Sequence, residues 1–215
     1  MVVFIKMVMG VFGTEIYQRI WRNLIMNVYT GDKIRNVVLL GHGGCGKTTL
    51  TEAMAFLSGV VTRMGKTADG NTISDYDKEE QKRHFSIETS VVPIEWEGHK
   101  INIFDTPGYF DFVGEVEEAA GAAAGAIIVV NGKAGIEVGT EKAWELCERY
   151  KLPRIFFVTN MDDDNASYRQ VVEDLTERYG KKIAPEPSAA SLKAARSKLF
   201  RMKLEPKIGR ASCRE

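Results

Sequence analysis

Net charge is absent from this chain: 29 Lys and Arg residues stand against 29 Asp and Glu. Without a basic excess the overall balance advertises no nucleic-acid surface, and no specific DNA partner is expected. Cysteine is scarce. Cys45, Cys147 and Cys213 are too scattered for a disulfide framework or a zinc cluster. His42, His84 and His99 are equally isolated and read as surface or loop residues. No uninterrupted apolar stretch approaches membrane-spanning length, so no membrane partner is expected. Residues 1–25 are apolar and aromatic, but Lys6 breaks the run and no small-residue cleavage site follows, which argues against a secretory signal. Internal repeats are missing too. What remains, 44% hydrophobic over 215 residues, suffices for one α/β core and fits a cytoplasmic protein.

Gly41-His42-Gly43-Gly44-Cys45-Gly46-Lys47-Thr48 follows the apolar run Val37-Val38-Leu39-Leu40 and precedes a stretch, Thr49 onward, with helical spacing. G-x-x-x-x-G-K-T between a strand and a helix is a phosphate-binding loop. Its glycines let backbone N–H groups curl around a polyphosphate at a helix N-terminus, where the peptide dipoles favour negative charge. In such a loop Lys47 reaches the terminal phosphates and the Thr48 hydroxyl holds Mg²⁺.

Two further words refine this reading. Residues 100–104 alternate like a strand and end in Asp105-Thr106-Pro107-Gly108, which delivers a carboxylate to a strand end. Asp105 there holds Mg²⁺ through water, and the Gly108 N–H senses a terminal phosphate. Residues 154–158 lead into Thr159-Asn160-Met161-Asp162, where Asp162 can accept both hydrogen bonds of a guanine edge. The register Asn160-Met161-Asp162-Asp163 would instead make Asp163 the reader.

GHGGCGKTTLTEA, SDYDKEEQKRHFSI, INIFDTPGYFDFVGEVEEA and PRIFFVTNMDD together resemble the start of the GTP-binding domain of the elongation factor G family, over about residues 26–185. The resemblance implies GTP and GDP with Mg²⁺ at a site of residues 41–49, Asp105, Gly108, Thr159, Asn160 and Asp162. It also implies GTP hydrolysis in translation elongation, the ribosome as partner and a monomeric full-length protein.

The departures point to a divergent paralogue group within that family. Tyr109 stands where the family usually has His positioning the attacking water, and Gly44 where an Asp is common. A phenol can orient water but is a poor base near neutrality. Phosphoryl transfer asks mainly for positioning and charge stabilisation, so Tyr109 and Lys47 are the candidate catalytic residues. Ser86 replaces the first-switch Thr as a Mg²⁺ contact, and Thr159 opens the base motif where Asn usually ties the loop to the base. Other readings remain: a nucleotide switch that does not hydrolyse, a tetracycline-resistance-type ribosomal protection protein, or an ATP-using protein.

Expected elements are strands over residues 88–96 and 99–104 joined by a turn at Glu97-Gly98, and a strand over 126–130. Helices are expected over residues 112–124, 141–150 and 166–179. The fold expected is a three-layer P-loop α/β domain, a mainly parallel sheet with helices on both faces and ligands at the carboxyl ends of the strands. Residues 60–87 match the first switch; on pattern alone the charge run of 75–83 reads as a solvated face, whereas the resemblance implies a segment that orders when GTP and Mg²⁺ are present. Cys45, near Lys47 and a helix N-terminus, reads either as a reactive thiol or as a small residue that fills the loop.

The two ends look foreign. Residues 1–25 read as an upstream extension. The Ser/Ala/Lys/Arg-rich residues 186–215 read as a frameshifted or artefactual tail, whose last nine residues back-translate into a sequencing adapter. The domain is then expected to be incomplete at its C-terminal side, leaving residues 155–158 at an open sheet edge.

Overall fold

A computed structural model describes residues 27–180; the expectations for residues 1–25 and 186–215 lie outside the described residues. The chain divides into the units Met1–Gly31 and Asp32–Glu215. Of the first, residues 27–30 carry no regular secondary structure, and every element below belongs to the second.

Strand β1 (Ile34–Gly41) is followed by α1 (Lys47–Leu57), a short helix α2 (Lys78–Arg83), and the pair β2 (Ser90–Trp96) and β3 (His99–Asp105). Then come α3 (Val113–Ala122), β4 (Gly125–Asn131), α4 (Val138–Arg149), β5 (Arg154–Thr159) and α5 (Tyr168–Tyr179). The sheet order is β2-β3-β1-β4-β5. Only β2 runs antiparallel to its neighbour. The β2–β3 turn closes with Trp96 opposite His99, and Glu97 and Gly98 both take positive φ (+46° and +76°), the twist a two-residue hairpin needs.

Alternation along the central strands sorts the core into two layers. Val38, Leu40, Ile128 and Val130 face Ala119 and Ala120 of α3, Leu146 and Cys147 of α4, and Val171 and Leu175 of α5. Leu39, Ile103, Ile127 and Val129 point the other way, toward Ala55 of α1. Small residues on α3 allow the close approach to the sheet that its composition implies. Residues 37–40 of β1 and residues 125–130 of β4 are unbroken runs without a polar side chain, as buried parallel strands should be, while β1 opens with Arg35 and Asn36 at half-buried positions. β5 takes the sheet margin among the described residues, and all six of its positions are half-buried.

Helix starts differ from expectation by one to three residues, for local reasons. α4 begins at Val138 rather than 141 because the Thr140 hydroxyl accepts from the Glu137 N–H. α5 begins at Tyr168 rather than 166 because the Ser167 hydroxyl accepts from the Gln170 N–H and caps it.

The charge run departs most from expectation. Asp75 and Glu80 are buried, at 3% and 2% exposure, so it is not simply a solvated face. Glu80 Oε1 accepts from the N–H groups of Ile87 (2.9 Å) and Glu88 (3.1 Å), while Asp77 caps α2 through the Glu79 N–H.

Candidate functional site: a phosphate loop with a metal cradle

Parallel pairing brings the carboxyl ends of β1, β3, β4 and β5 to one side of the sheet, with Leu39 opposite Asp105 and Asn131 opposite Thr159. The loop of residues 41–48 emerges there. Gly46 caps α1 in the left-handed region (φ +93°), a conformation that turns the next N–H groups inward at little cost only for glycine. Gly108 crosses so closely that a Cβ on it would fall 2.7 Å from both N and Cα of Gly43. The D-T-P-G backbone is therefore stacked directly on the phosphate loop, and Thr106 anchors it by donating to the Leu39 carbonyl at 2.6 Å.

Lys47 is 6% exposed and folds back on its own loop, donating to the Gly41 carbonyl (3.1 Å) and the His42 carbonyl (2.9 Å). Beside it, Thr48 and Ser86 hydroxyl oxygens lie 3.2 Å apart, and Ser86 donates to Asp75 Oδ1 at 2.7 Å. Two hydroxyls expected to bind Mg²⁺ from sequence positions 38 residues apart are thus adjacent. Thr49 is exposed on the first turn of α1.

Asp105 is 1% exposed, and neither carboxylate oxygen has a hydrogen-bond partner; Ser74 Oγ and Asp75 Oδ2 are likewise orphaned. Burial pushes the Asp105 carboxyl up to about 6 from 3.8; nearby Ser74 and Thr48 hydroxyls and the Lys47 ammonium offset this only in part, and the Asp75 charge adds to it. Burial raises Asp75 as well, against the hydrogen bond from Ser86. Buried acceptors left without donors are costly. A divalent cation on the Thr48 and Ser86 hydroxyls, with Asp105 and Asp75 behind them, would supply the missing positive charge. Among the described residues no cluster of three His, Cys, Asp or Glu side chains has metal-binding geometry. The donor set here is hydroxyls and isolated carboxylates, which suits a hard cation that keeps water and phosphate ligands.

The sign of the linkage follows. The unfolded carboxyl ionises near 3.8, so the native chain binds the extra proton between about pH 4 and 6, and stability falls as pH rises through that window. Above it the buried charge costs up to about 3 kcal/mol. Asp105→Asn is therefore expected to raise the thermal midpoint of the nucleotide-free chain at pH 7.5 and to flatten its pH dependence between 4 and 6. The same change should weaken Mg²⁺-dependent nucleotide binding. A lowered midpoint at pH 7.5 would contradict the assignment of a strained carboxylate.

At the end of β5, Thr159 donates to the Cys45 carbonyl (2.6 Å) and the Val130 carbonyl (3.2 Å), so a hydroxyl ties the loop of residues 41–48 to the loop that follows β5. Asn160 adopts φ +52°, and Asp162 is exposed. Asp163 is engaged inside its own loop: it accepts from the Asn165 N–H at 2.9 Å and pairs with Lys133 Nζ at 3.1 Å. The hydrogen bond from Asn165, with the help of Lys133, holds its carboxyl below the usual range.

Cys45 corrects the sequence reading. Its thiol is 1% exposed, packed with Leu39, Ala55 and Val129, and burial pushes it up more than Lys47 pulls it down. Cys147 is pushed up to about 11 by burial. Buried thiols in apolar surroundings are inert. Peptide mapping after maleimide treatment of the native chain is expected to find both unmodified until denaturant is added; labelling of Cys45 without denaturant would restore the reactive-thiol reading.

Asp75, Ser74 and Glu52 were not legible as site residues. Glu52, 1% exposed on α1, accepts from the N–H groups of Gly65 (2.7 Å) and Ile73, which clamps the segment leading to Ser86 onto the helix behind Lys47. All three lie inside the family words, Glu52 in GHGGCGKTTLTEA and Ser74 and Asp75 in SDYDKEEQKRHFSI, but no spacing singles them out.

The Elongation factor Tu GTP binding domain family matches residues 32–206. Ribosome-releasing factor 2, mitochondrial, of Drosophila grimshawi is 42% identical over 159 residues, covering 74% of this chain and 22% of that protein. Its namesake in Anopheles gambiae is 37% identical over 163 residues, covering 76% of this chain and 22% of that protein. A solved structure, ttk003000868 from Thermus thermophilus, is 43% identical with a TM-score of 0.67, covering 70% of this chain and 23% of that one. The chain spans about a fifth of the length of the relatives it matches.

Proposed function

Since the chain belongs to the Elongation factor Tu GTP-binding domain family, we propose that it binds GTP and GDP with Mg²⁺ and hydrolyses GTP within a ribosome-associated factor. The observation that supports this most is the orphaned Asp105 carboxylate behind the Thr48 and Ser86 hydroxyls, beside a Lys47 already aimed into the loop.

In this reading the N–H groups of residues 41–48 cradle the phosphates, and Lys47 exchanges its carbonyl partners for phosphate oxygens. Thr48 and Ser86 would hold Mg²⁺, with Asp105 and Asp75 fixing its water ligands. Once bound, the ion neutralises phosphate charge and orients the leaving group. The Gly108 N–H is placed by its stacking on Gly43 to meet a terminal phosphate. Tyr109 orients the attacking water, a positioning role that phosphoryl transfer rewards more than proton abstraction. Asp162 reads the guanine edge, with Thr159 holding its loop to Cys45.

The relatives are named ribosome-releasing factors and mitochondrial. We therefore place the activity at ribosome release rather than elongation, and in the mitochondrion rather than the cytoplasm. Fluorescent GTP titrated onto the chain should bind only with Mg²⁺ present and be displaced by GDP but not ATP. Equal displacement by ATP would replace this reading with that of an ATP-using protein.

A further inference from the structure

Asp162 is exposed, and the loop that carries it is held through its neighbours by the turn that follows β4. Gly132 donates its N–H to the Thr159 carbonyl at 2.9 Å, and its own carbonyl accepts from the Ser167 N–H at 3.2 Å. This one residue therefore grips both the entry and the exit of the loop of residues 160–166. Gly132 is buried and has no positive φ, so its dihedral angles do not demand glycine. Close approach does. A Cβ there would lie 2.8 Å from the Thr159 carbonyl oxygen and 2.7 Å from Met161 Sδ.

The next residue adds a third hold. The Lys133 ammonium meets Asp163 Oδ2 at 3.1 Å, and Asp163 Oδ1 accepts from the Asn165 N–H at 2.9 Å, so the residue directly after Asp162 is tied both to its own loop and to the turn beside it. That turn is itself fixed. Asn131 Oδ1 accepts from the N–H groups of Lys133 (2.9 Å) and Ala134 (3.3 Å), and the Asn131 carbonyl accepts from the Gly135 N–H at 2.9 Å. A side chain that bonds its own backbone two residues on is a local restraint on the direction the chain takes, here at Lys133.

We propose that Gly132 and Lys133 are positioning residues for guanine binding, a brace that keeps Asp162 aimed at the base; the inference rests on the nucleotide reading above. Gly132 fixes where the loop leaves and rejoins the fold, and Lys133, acting through Asp163, fixes the course of the chain between. A loop held in its binding geometry before the ligand arrives loses less freedom on binding. The brace thus sets how tightly the base is held and leaves the choice of base to Asp162.

The test uses the full chain and two readouts. Lys133→Met is expected to quicken release of fluorescent GDP about two- to fivefold, the size an exposed ion pair supports. Inorganic tripolyphosphate, which has no base, should bind as before, and Lys133→Arg should restore the slower GDP release. In the Asp163→Asn background Lys133→Met should add nothing, because its partner is already gone. Gly132→Ala should instead weaken GDP and tripolyphosphate together, since its Cβ displaces Thr159, which also holds the phosphate loop through Cys45. The second readout needs no nucleotide: amide exchange at Ser167 should quicken in Lys133→Met and return to its original rate in Lys133→Arg. Unchanged Ser167 exchange, equal losses for GDP and tripolyphosphate in Lys133→Met, or an undiminished effect of that change in the Asp163→Asn background would overturn the brace and leave the proposed function intact. Quickened Ser167 exchange in a chain that binds tripolyphosphate but shows no preference for guanine nucleotides would refute the guanine reading, and would reduce the brace to a structural restraint.

Discussion

Asp162→Asn is expected to invert the base preference, weakening GTP far more than xanthosine triphosphate. A carboxylate at this position accepts from two donors on the guanine edge. An amide keeps one acceptor and adds a donor, which suits xanthine, where an acceptor replaces one of those donors. Sites that pair a polar edge reject the wrong partner strongly because buried groups are left unpaired, so the ratio of the two affinities should change on the order of 10³-fold or more. Asp163→Asn is the control. Asp163 is already bound to Asn165 and Lys133, so its loss should loosen the loop without changing the preferred base. Competition titration of the two triphosphates decides; an unchanged ratio in Asp162→Asn would move the reading role to Asp163.

Lys47→Ala is the second large effect, an expected loss of GDP and GTP affinity on the order of 10²-fold or more. The ammonium is nearly buried and donates only to the carbonyls of Gly41 and His42 and, at 3.9 Å, toward Cys45 Sγ. Those acceptors are neutral, whereas phosphate oxygens are charged and form the stronger bonds. The side chain is thus pre-placed for an anion, and removing it leaves the loop with backbone dipoles alone. Two carbonyls freed at the loop surface can be satisfied by water, so the thermal midpoint should move little. Isothermal titration together with a melting curve separates the outcomes: full affinity would remove Lys47 from the site, and a collapsed midpoint would make it a structural residue.

Much of this was legible because the relevant constraints are local. The phosphate loop is written as glycines that must adopt positive φ between an apolar run and a helical repeat, and the family match bears out the resemblance those words carry. The hairpin at Glu97-Gly98 and the doubly covered β4 were readable from turn chemistry and from an unbroken apolar run. Cys45 was misread because nearness in sequence to Lys47 and to a helix start suggested an activated thiolate. The burial of a side chain at a strand-to-helix corner is set by packing, and here Cys45 lies within the buried layer that holds Leu39, Ala55 and Val129. The charge run misled in the same way, since a pattern of charges does not say which carboxylates turn inward to collect backbone N–H groups.

The sequence by itself determined the phosphate loop, the strand-end Asp105, the loop of residues 159–162 and the layered α/β order, because each rests on short-range spacing and backbone preference. Tertiary structure alone decided that Ser86 meets Thr48, that Thr159 bridges to Cys45 and that Asp105 sits unpaired and desolvated. It also seated Tyr109 on Gly43. Those relations join residues tens of positions apart, and they exist only once parallel strands carry their carboxyl ends to one side of the sheet and exclude water from what lies between.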